Sequence, residues 1–274
     1  VCSSDLHFNF ISGSDLLEAV AERTPLPESA ALLTFDDGYA DHFTQVLPIL
    51  DELGIPGCFF PPAKCILERE VLDVNKIHYI LAATDDVDAL IDYTEAHIRS
   101  NRAEFDLEFV DAYEKRLAVP GRFDSKEVVY LKRLLQRELP ESLRGQIVDD
   151  LFERFVGVEQ SVLAEELYMT LDQVRMLNRQ GMYVGSHGYD HYWLNHLTPD
   201  EQRDEVVRSM DFLEEVGTPL DRWIMCYPYG AHDESIRSLL PSLGCPLGLA
   251  TPVDLAALEQ DDPLELPPMD PNAI

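Results

Sequence analysis

The stretch LLTFDDGYADHF, residues 32–43, decides the fold. Its apolar residues end at two adjacent carboxylates, Asp36 and Asp37, and an amphipathic segment begins after Gly38. This pattern predicts a buried strand, a turn and a helix in direct succession. Carboxylates placed side by side repel each other, so at least one of them must be paired, protonated or bound to a cation. The end of this strand is therefore a candidate functional site.

Strand and helix patterns alternate on both sides of this stretch. Helices are predicted at residues 12–24 and at residues 39–53, the second of which contains Pro48. Later helices begin at Thr170 and Thr198, each followed three residues on by Gln or Glu, as in a capping box. The strand-like segments are SAALLTF (29–35), IPGCFFPP (55–62), MYVGS (182–186), RWIMCYP (222–228) and PLGLAT (246–251). Recurrent β-α-β order favours an α/β fold with a parallel sheet or barrel.

The middle of the chain differs from its flanks in composition and in predicted secondary structure. Residues from about 66 to 165 are rich in charge and in helical patterns and contain few strand signals. The segment DSKEVVYLKRLLQREL (124–139), for example, places apolar residues at helical spacing. We predict a single domain, residues 1–274, with a helical insertion at about 66–165. A separate helical domain is the alternative.

Composition limits the classes of partner. The chain has 274 residues and a formal net charge of −30. Nucleic acids and anionic membrane surfaces both attract basic patches, so neither is expected as a partner. The sequence has no apolar run of about 18 residues, so no transmembrane helix is predicted.

The number and spacing of the cysteines indicate the redox state of the compartment in which the protein works. There are five, an odd count, and no two of them form a CxxC pair. Reduced, buried thiols are therefore expected, which favours a cytoplasmic protein. No signal peptide is visible, although the chain lacks an initial Met and can be a fragment.

A second polar motif follows a predicted strand. In SHGYDH, residues 186–191, His187 and His191 lie four residues apart. A histidine pair at this spacing is more often structural than catalytic. Here, however, the loops at the carboxyl ends of parallel strands would bring the pair close to Asp36 and Asp37. Two histidines and one aspartate form the three-ligand set of a catalytic metal site with an open position for water.

Such a metal would explain the acid pair. One aspartate would bind the metal, and the other would take the proton of the metal-bound water. Zinc is the first candidate, and cobalt, nickel and manganese also suit nitrogen and oxygen ligands.

Three motifs in this order resemble the polysaccharide deacetylases, the chitooligosaccharide-deacetylase type of carbohydrate esterase. They are TFDDG (34–38), SHGYDH (186–191) and YPYG (227–230). The resemblance covers roughly residues 30–65 and 168–250 and leaves out the helical insertion. It implies a distorted (β/α) barrel, commonly of seven strands. It also implies metal-dependent removal of an acyl group, most often acetyl, from an amino sugar or glycan.

The resemblance also implies roles for individual residues. Asp36 would be the general base, and Asp37, His187 and His191 would bind the metal. Pro228 and Tyr229 would contact substrate, with a backbone N–H of this motif helping to stabilise the oxyanion.

Several positions depart from the family's pattern or allow two interpretations. Trp193 either stacks on a sugar ring or belongs to the core. Cys226 stands where the family often has an arginine that orients the base. No histidine follows His232, although many relatives use a late histidine to protonate the leaving amine. His232 is a candidate for that acid because it follows the third motif.

Two other functions stay open. One is an amidohydrolase or deformylase that uses the same site on a small or lipid-linked amide, with the helical insertion as a cap. The other is a carbohydrate-binding protein without catalysis, suggested by the missing arginine and late histidine. A carbohydrate or amino-sugar substrate is the expected partner, and the sequence does not indicate an oligomeric state.

Overall fold

The computed structural model describes residues 8–121, 124–251, 254–258 and 260–268. The chain divides into two compact units. One consists of the residues up to Glu70 together with those from Ala164 onward, and the other is Val71–Leu163. The predicted insertion at about 66–165 spans the second unit, whose described elements are all helical. The single-domain organisation stays a prediction.

The first unit contains the seven strands of the described residues. They are β1 (Asn9–Phe10), β2 (Ala30–Ala31), β3 (Leu33–Asp36), β4 (Gly57–Phe60), β5 (Tyr183–Val184), β6 (Ile224–Cys226) and β7 (Leu247–Leu249). All pairings between these strands are parallel, in the orders β1-β2, β3-β4-β5 and β6-β7. A single parallel bridge, Ser186 with Met225, links the end of β5 to β6. The α/β prediction is confirmed. The barrel stays a prediction, because the pairings of the described strands do not close a ring.

Strand register brings the sequence motifs to one edge. Asp36 at the end of β3 lies opposite Phe60 of β4, and Phe59 lies opposite Val184 of β5. Beyond β5, the N–H of Ser186 donates to Ile224 of β6. Because all these strands are parallel, the residues that follow them emerge at the same edge. The acid pair, the histidine motif and the third motif therefore meet there.

The helices of the first unit begin and end largely as their caps predict. They are α1 (Gly13–Glu22), α2 (Leu47–Leu53), α3 (Ala63–Leu67), α10 (Leu171–Arg179), α11 (Pro199–Val216) and α12 (Glu234–Leu239). Capping boxes start α10 and α11 at Thr170 and Thr198, as expected. The helix predicted over 39–53 instead opens with a π-helical turn, His42–Val46. Pro48 lacks the N–H that a continuous α-helix would donate to residue 44, so the wider turn precedes α2.

Two separate apolar cores stabilise the units. In the first unit, α1 packs against the strands through Leu16 and Leu17, which cluster with Cys58, Phe60 and Ile224. The second unit consists of α4 (Asp73–Ala83), α5 (Val87–Asn101), α6 (Val110–Leu117), α7 (Lys126–Arg133) and α8 (Glu141–Phe155). These helices and the π-helical turn after α7, Leu134–Glu138, share a core that includes Leu90, Leu131, Leu135, Ile147 and Leu151. The remaining helix, α9 (Gln160–Leu167), runs across the sequence boundary between the units.

The described cysteines are free and buried, as the odd count suggests. They are Cys58, Cys65, Cys226 and Cys245, and Cys2 lies outside the described residues. Among the helices of the described part of the chain, none combines the length and the apolar character needed to cross a membrane.

Candidate metal centre

A tight turn after β3 presents the acid pair. Asp36 is the last residue of β3, and Asp37 and Gly38 both adopt left-handed backbone conformations, with φ of 68° and 71°. A Cβ at position 38 would lie 2.8 Å from Cβ of Pro61, so the turn requires glycine. The N–H of Met169 donates to the carbonyl of Gly38 and fixes the turn from outside.

The histidine motif forms a loop immediately after β5. His187 and His191 are 4% and 8% exposed, and their rings lie 4.8 Å apart. Oδ1 of Asp37 lies 3.5 Å from Nε2 of His187 and 3.4 Å from Nε2 of His191. One ligand atom from each residue falls within a group spanning 4.8 Å. The structure therefore brings together all three predicted ligands, which we call the Asp37–His187–His191 cluster.

The donor set of this cluster fits a divalent metal. Nδ1 of His187 donates to the backbone carbonyl of Cys226 at 2.6 Å. A carbonyl can only accept, so the proton lies on Nδ1 and the lone pair of the neutral ring lies on Nε2, which faces Asp37. Metal-ligating histidines usually make this kind of outer hydrogen bond. In addition, Oδ1 of Asp36 is buried and has no hydrogen-bond partner among the described residues.

Asp37 and His187 shift each other's pKa values. Burial by itself would raise the pKa of Asp37, but its hydrogen bond to His187 and the charges of both histidines lower it to about 2. Burial favours the neutral form of His187, whereas Cys226 and Asp37 favour the imidazolium. The net effect raises the pKa of His187 well above its usual range. The pair thus favours a negative carboxylate on Asp37 and an imidazolium on His187.

Cys226 contacts Asp36, the other aspartate of the acid pair. Its Sγ lies 3.5 Å from Oδ2 of Asp36, within range of a thiol hydrogen bond. Burial raises the pKa of Cys226 to about 11, so the thiol keeps the proton that it donates. Cys226, at the position where the resemblance implies an arginine, therefore contacts Asp36, the predicted base, as a neutral donor.

The third motif lies beside the cluster. It forms a short turn, Pro228–Gly230, in which Tyr229 adopts a left-handed conformation with φ of 57°. The ring of Tyr229 lies 4.7 Å from that of His191 and stacks on Trp193 at 4.5 Å, with 7° between the planes. Trp193 and Tyr229 are both partly exposed, whereas Pro228 is buried. The substrate contacts predicted for these three residues stay predictions, as does the oxyanion role of the motif.

His232 makes contacts of another kind. Its Nε2 lies 3.3 Å from Oε1 of Glu265, and its ring lies 4.7 Å from that of Tyr227. These contacts do not join it to the Asp37–His187–His191 cluster. Its role as the acid stays a prediction.

Sequence analysis misses the buried polar residues that lie behind the histidine loop. Gln202, Glu205 and Ser209 of α11 are buried and hydrogen-bonded to residues 186–194. In a charge-rich helix such residues resemble an exposed face. Their spacing of three and four residues is the one available signal, since it puts them on one side of the helix.

Known proteins with similar sequences and structures are deacetylases. The sequence profile of the family described as "Polysaccharide deacetylase" matches residues 23–83 and 153–248, more than half of the chain. The poly-beta-1,6-N-acetyl-D-glucosamine N-deacetylase of Escherichia coli K12 is 43% identical over 51 residues, 19% of this chain and 8% of that protein. The Bacillus subtilis protein YxkH is 27% identical over 93 residues, 34% of this chain and 33% of that protein. The matched segment thus spans a third or less of each curated relative.

Two solved structures support the fold. The Streptococcus pyogenes deacetylase PplD in complex with acetate has a TM-score of 0.56 at 15% identity, over 97% of this chain and 74% of that one. The BpsB deacetylase domain from Bordetella bronchiseptica has a TM-score of 0.55 at 15% identity, over 97% of this chain and 80% of that one. Together with the profile match and the motifs that meet at the strand ends, these similarities establish that the chain belongs to the polysaccharide deacetylase family.

Proposed function

We propose that the protein is a metal-dependent deacetylase that removes an N-acetyl or related acyl group from an amino sugar or glycan, on a distorted (β/α) barrel. The observation that carries this proposal is the Asp37–His187–His191 cluster, with one ligand atom of each residue inside a group spanning 4.8 Å. The family match supports deacylation as the reaction. Zinc is the metal we propose first, because it suits two imidazoles and one carboxylate with an open position.

The residues of the site would have separate roles in metal binding and proton transfer. A divalent metal held by Asp37, His187 and His191 would supply Lewis-acid polarisation of the acyl carbonyl and acidification of water. Asp36 is the proton acceptor, and its two oxygens differ in their surroundings. Oδ2 contacts the Cys226 thiol, whereas Oδ1 is buried without a hydrogen-bond partner among the described residues. The Asp36 carboxylate is thus the group that would take a proton from the attacking water.

The substrate class follows from the relatives and from one local feature. The Escherichia coli relative is named for an N-acetylglucosamine polymer, which makes β-linked N-acetylglucosamine our first candidate. The stacked rings of Trp193 and Tyr229, adjacent to His191, offer an apolar platform of the kind that packs against sugar rings.

The test compares the wild-type protein with Asp36→Asn on N-acetylglucosamine oligomers and on a panel of small amides, with acetate release as the readout. We expect one equivalent of zinc in both proteins and a loss of about 10²–10⁴-fold in kcat for the variant, because general base catalysis is removed. Exposed Asp41, five residues further along the chain, gives a matched control as Asp41→Asn. Full activity of Asp36→Asn with zinc bound would exclude Asp36 as the base. Hydrolysis of small amides only would point to the amidohydrolase alternative.

A further inference from the structure

A stripe of buried polar residues runs along α11. Gln202, Glu205 and Ser209 are 0%, 3% and 1% exposed, and their spacing places them on one side of the helix. We call them the polar stripe of α11. Burial of three polar side chains has a free-energy cost unless each finds a hydrogen-bond partner.

All three find partners in one segment, which includes the histidine loop. Oγ of Ser209 lies 2.9 Å from Oγ of Ser186, the residue before His187. Nε2 of Gln202 donates to the carbonyl of Leu194 at 2.9 Å. Oε1 of Glu205 accepts from the N–H groups of Tyr189 and Asp190 at 2.8 and 2.7 Å. The stripe thus holds the loop before, within and after its two histidines.

Glu205 occupies the central place. A single carboxylate oxygen accepts two consecutive backbone N–H groups that lie between His187 and His191 in the sequence. The loop bends tightly around it, since Gly188 has φ of 74° and a Cβ there would lie 2.8 Å from Oε1. Without this oxygen, two buried N–H groups would lose their acceptor, and such a loss costs about 1–3 kcal/mol per group.

We propose that Glu205 is a positioning residue, which shapes the bend at Gly188–Asp190 and so sets the separation of His187 and His191 before any metal binds. The importance of this geometry for zinc rests on the proposed metal-dependent function. The physical reason is preorganisation, because ligands already held in place lose less conformational freedom when they bind a cation. Groups that orient metal ligands from behind typically contribute 10–100-fold to metal affinity.

The test uses Glu205→Gln, which keeps the size of the side chain but removes the charge that faces two N–H groups. Burial and Asp190 raise the pKa of Glu205 to about 7, so the measurements are made at pH 8, where the carboxylate form predominates. Zinc binding to the metal-free protein is measured by calorimetry, and exchange of the Tyr189 and Asp190 amide protons is measured by NMR without metal. We expect zinc affinity to fall by roughly 10–100-fold and both amides to exchange faster. The control is Asp211→Asn, which removes an exposed carboxylate from the same helix and should match wild type.

The outcomes separate this inference from the proposed function. If wild type binds one equivalent of zinc and Glu205→Gln binds it equally well, the inference is wrong and the metal site stands. If wild type binds no zinc, the proposed function fails, and the exchange rates alone decide whether Glu205 orders the loop. Should the variant not fold, slow exchange of the two amides in metal-free wild type supports the inference. Exchange there at the rate of an unstructured peptide overturns it.

Discussion

Asp37 and His187 form a pair that a proton or a metal can hold together. The pKa of His187 is raised well above its usual range, which favours the imidazolium form in the metal-free protein. A metal needs the lone pair of the neutral ring, so binding must displace that proton. Metal and proton would therefore compete for Nε2 of His187.

This competition predicts that zinc binding releases protons and weakens as the pH falls. The number of protons released is obtained from calorimetric titrations of zinc at pH 7 in buffers with different ionisation enthalpies. We expect close to one proton for each zinc bound in wild type, and a much weaker, proton-independent interaction in His187→Ala. Equal heats in all buffers would contradict a protonated His187.

Cys226 allows a second prediction at this scale. Its thiol contacts Oδ2 of Asp36 at 3.5 Å, and valine has nearly the same shape but no donor. Hydrogen bonds to charged groups contribute about 1.5–3 kcal/mol, and a thiol is a weak donor, so we expect kcat to fall about 10-fold in Cys226→Val. Zinc content should not change, and Cys226→Ser, which keeps a donor, should retain most of the activity. Wild-type kcat in Cys226→Val would show that the contact does not orient the base.

Among the secondary-structure elements, α11 has the largest effect on the site, because it carries the polar stripe. Its start depends on Thr198, whose side chain accepts from the N–H of Glu201 while the Glu201 carboxylate accepts from Thr198 in return. The hydrogen-bonded carboxylate is stabilised in its ionised form, which lowers the pKa of Glu201. This capping box, Thr198 with Glu201, directly precedes Gln202, the first residue of the polar stripe.

We therefore predict that Thr198→Ala lowers the free energy of unfolding by about 1 kcal/mol and also weakens zinc binding. Urea denaturation measures the first effect and calorimetry the second. Thr170→Ala is the matched control, because it removes the same kind of cap from α10 without touching the stripe. Equal effects of the two variants on zinc affinity would contradict a special role for α11.

The elements show where sequence reasoning succeeds and where it does not. The acid pair, both histidines and the third motif are predictable because each follows a recognisable strand, and parallel strands bring such residues to one edge. The π-helical turn before α2 is not predictable in detail, since Pro48 excludes one hydrogen bond without dictating its replacement. Glu205 is missed because its burial depends on tertiary packing, and its helix otherwise has the charge pattern of a surface helix.

For the whole molecule, the proposed metal would link the site to stability. All three proposed ligands belong to the first unit. Asp37 follows β3 and both histidines follow β5, so the bound metal would join these two strands through their loops. A ligand that binds only the folded state raises the free energy of unfolding by about 2.7 kcal/mol when its free concentration is a hundred times its Kd.

We predict that zinc raises the melting temperature of the metal-free protein in a concentration-dependent way. Scanning calorimetry over a range of free zinc concentrations measures the shift. Asp37→Ala should lose the response, whereas Asp190→Asn, which alters an acid in the histidine loop outside the cluster, should keep it. A shift of the same size in Asp37→Ala would place the zinc elsewhere.

The order of the ligands along the chain has a consequence during synthesis. Asp37 precedes His187 by 150 residues, and the whole helical unit lies between them. At a translation rate of about 5–20 residues per second, a nascent chain carries the acid pair without its histidines for roughly 8–30 s. For most of that interval β5, which pairs with β4 in the sheet, has not yet been synthesised. On the proposed function, the metal would be acquired only after His187 and His191 have been synthesised, and ribosome-bound chains halted before Tyr183 should retain no zinc.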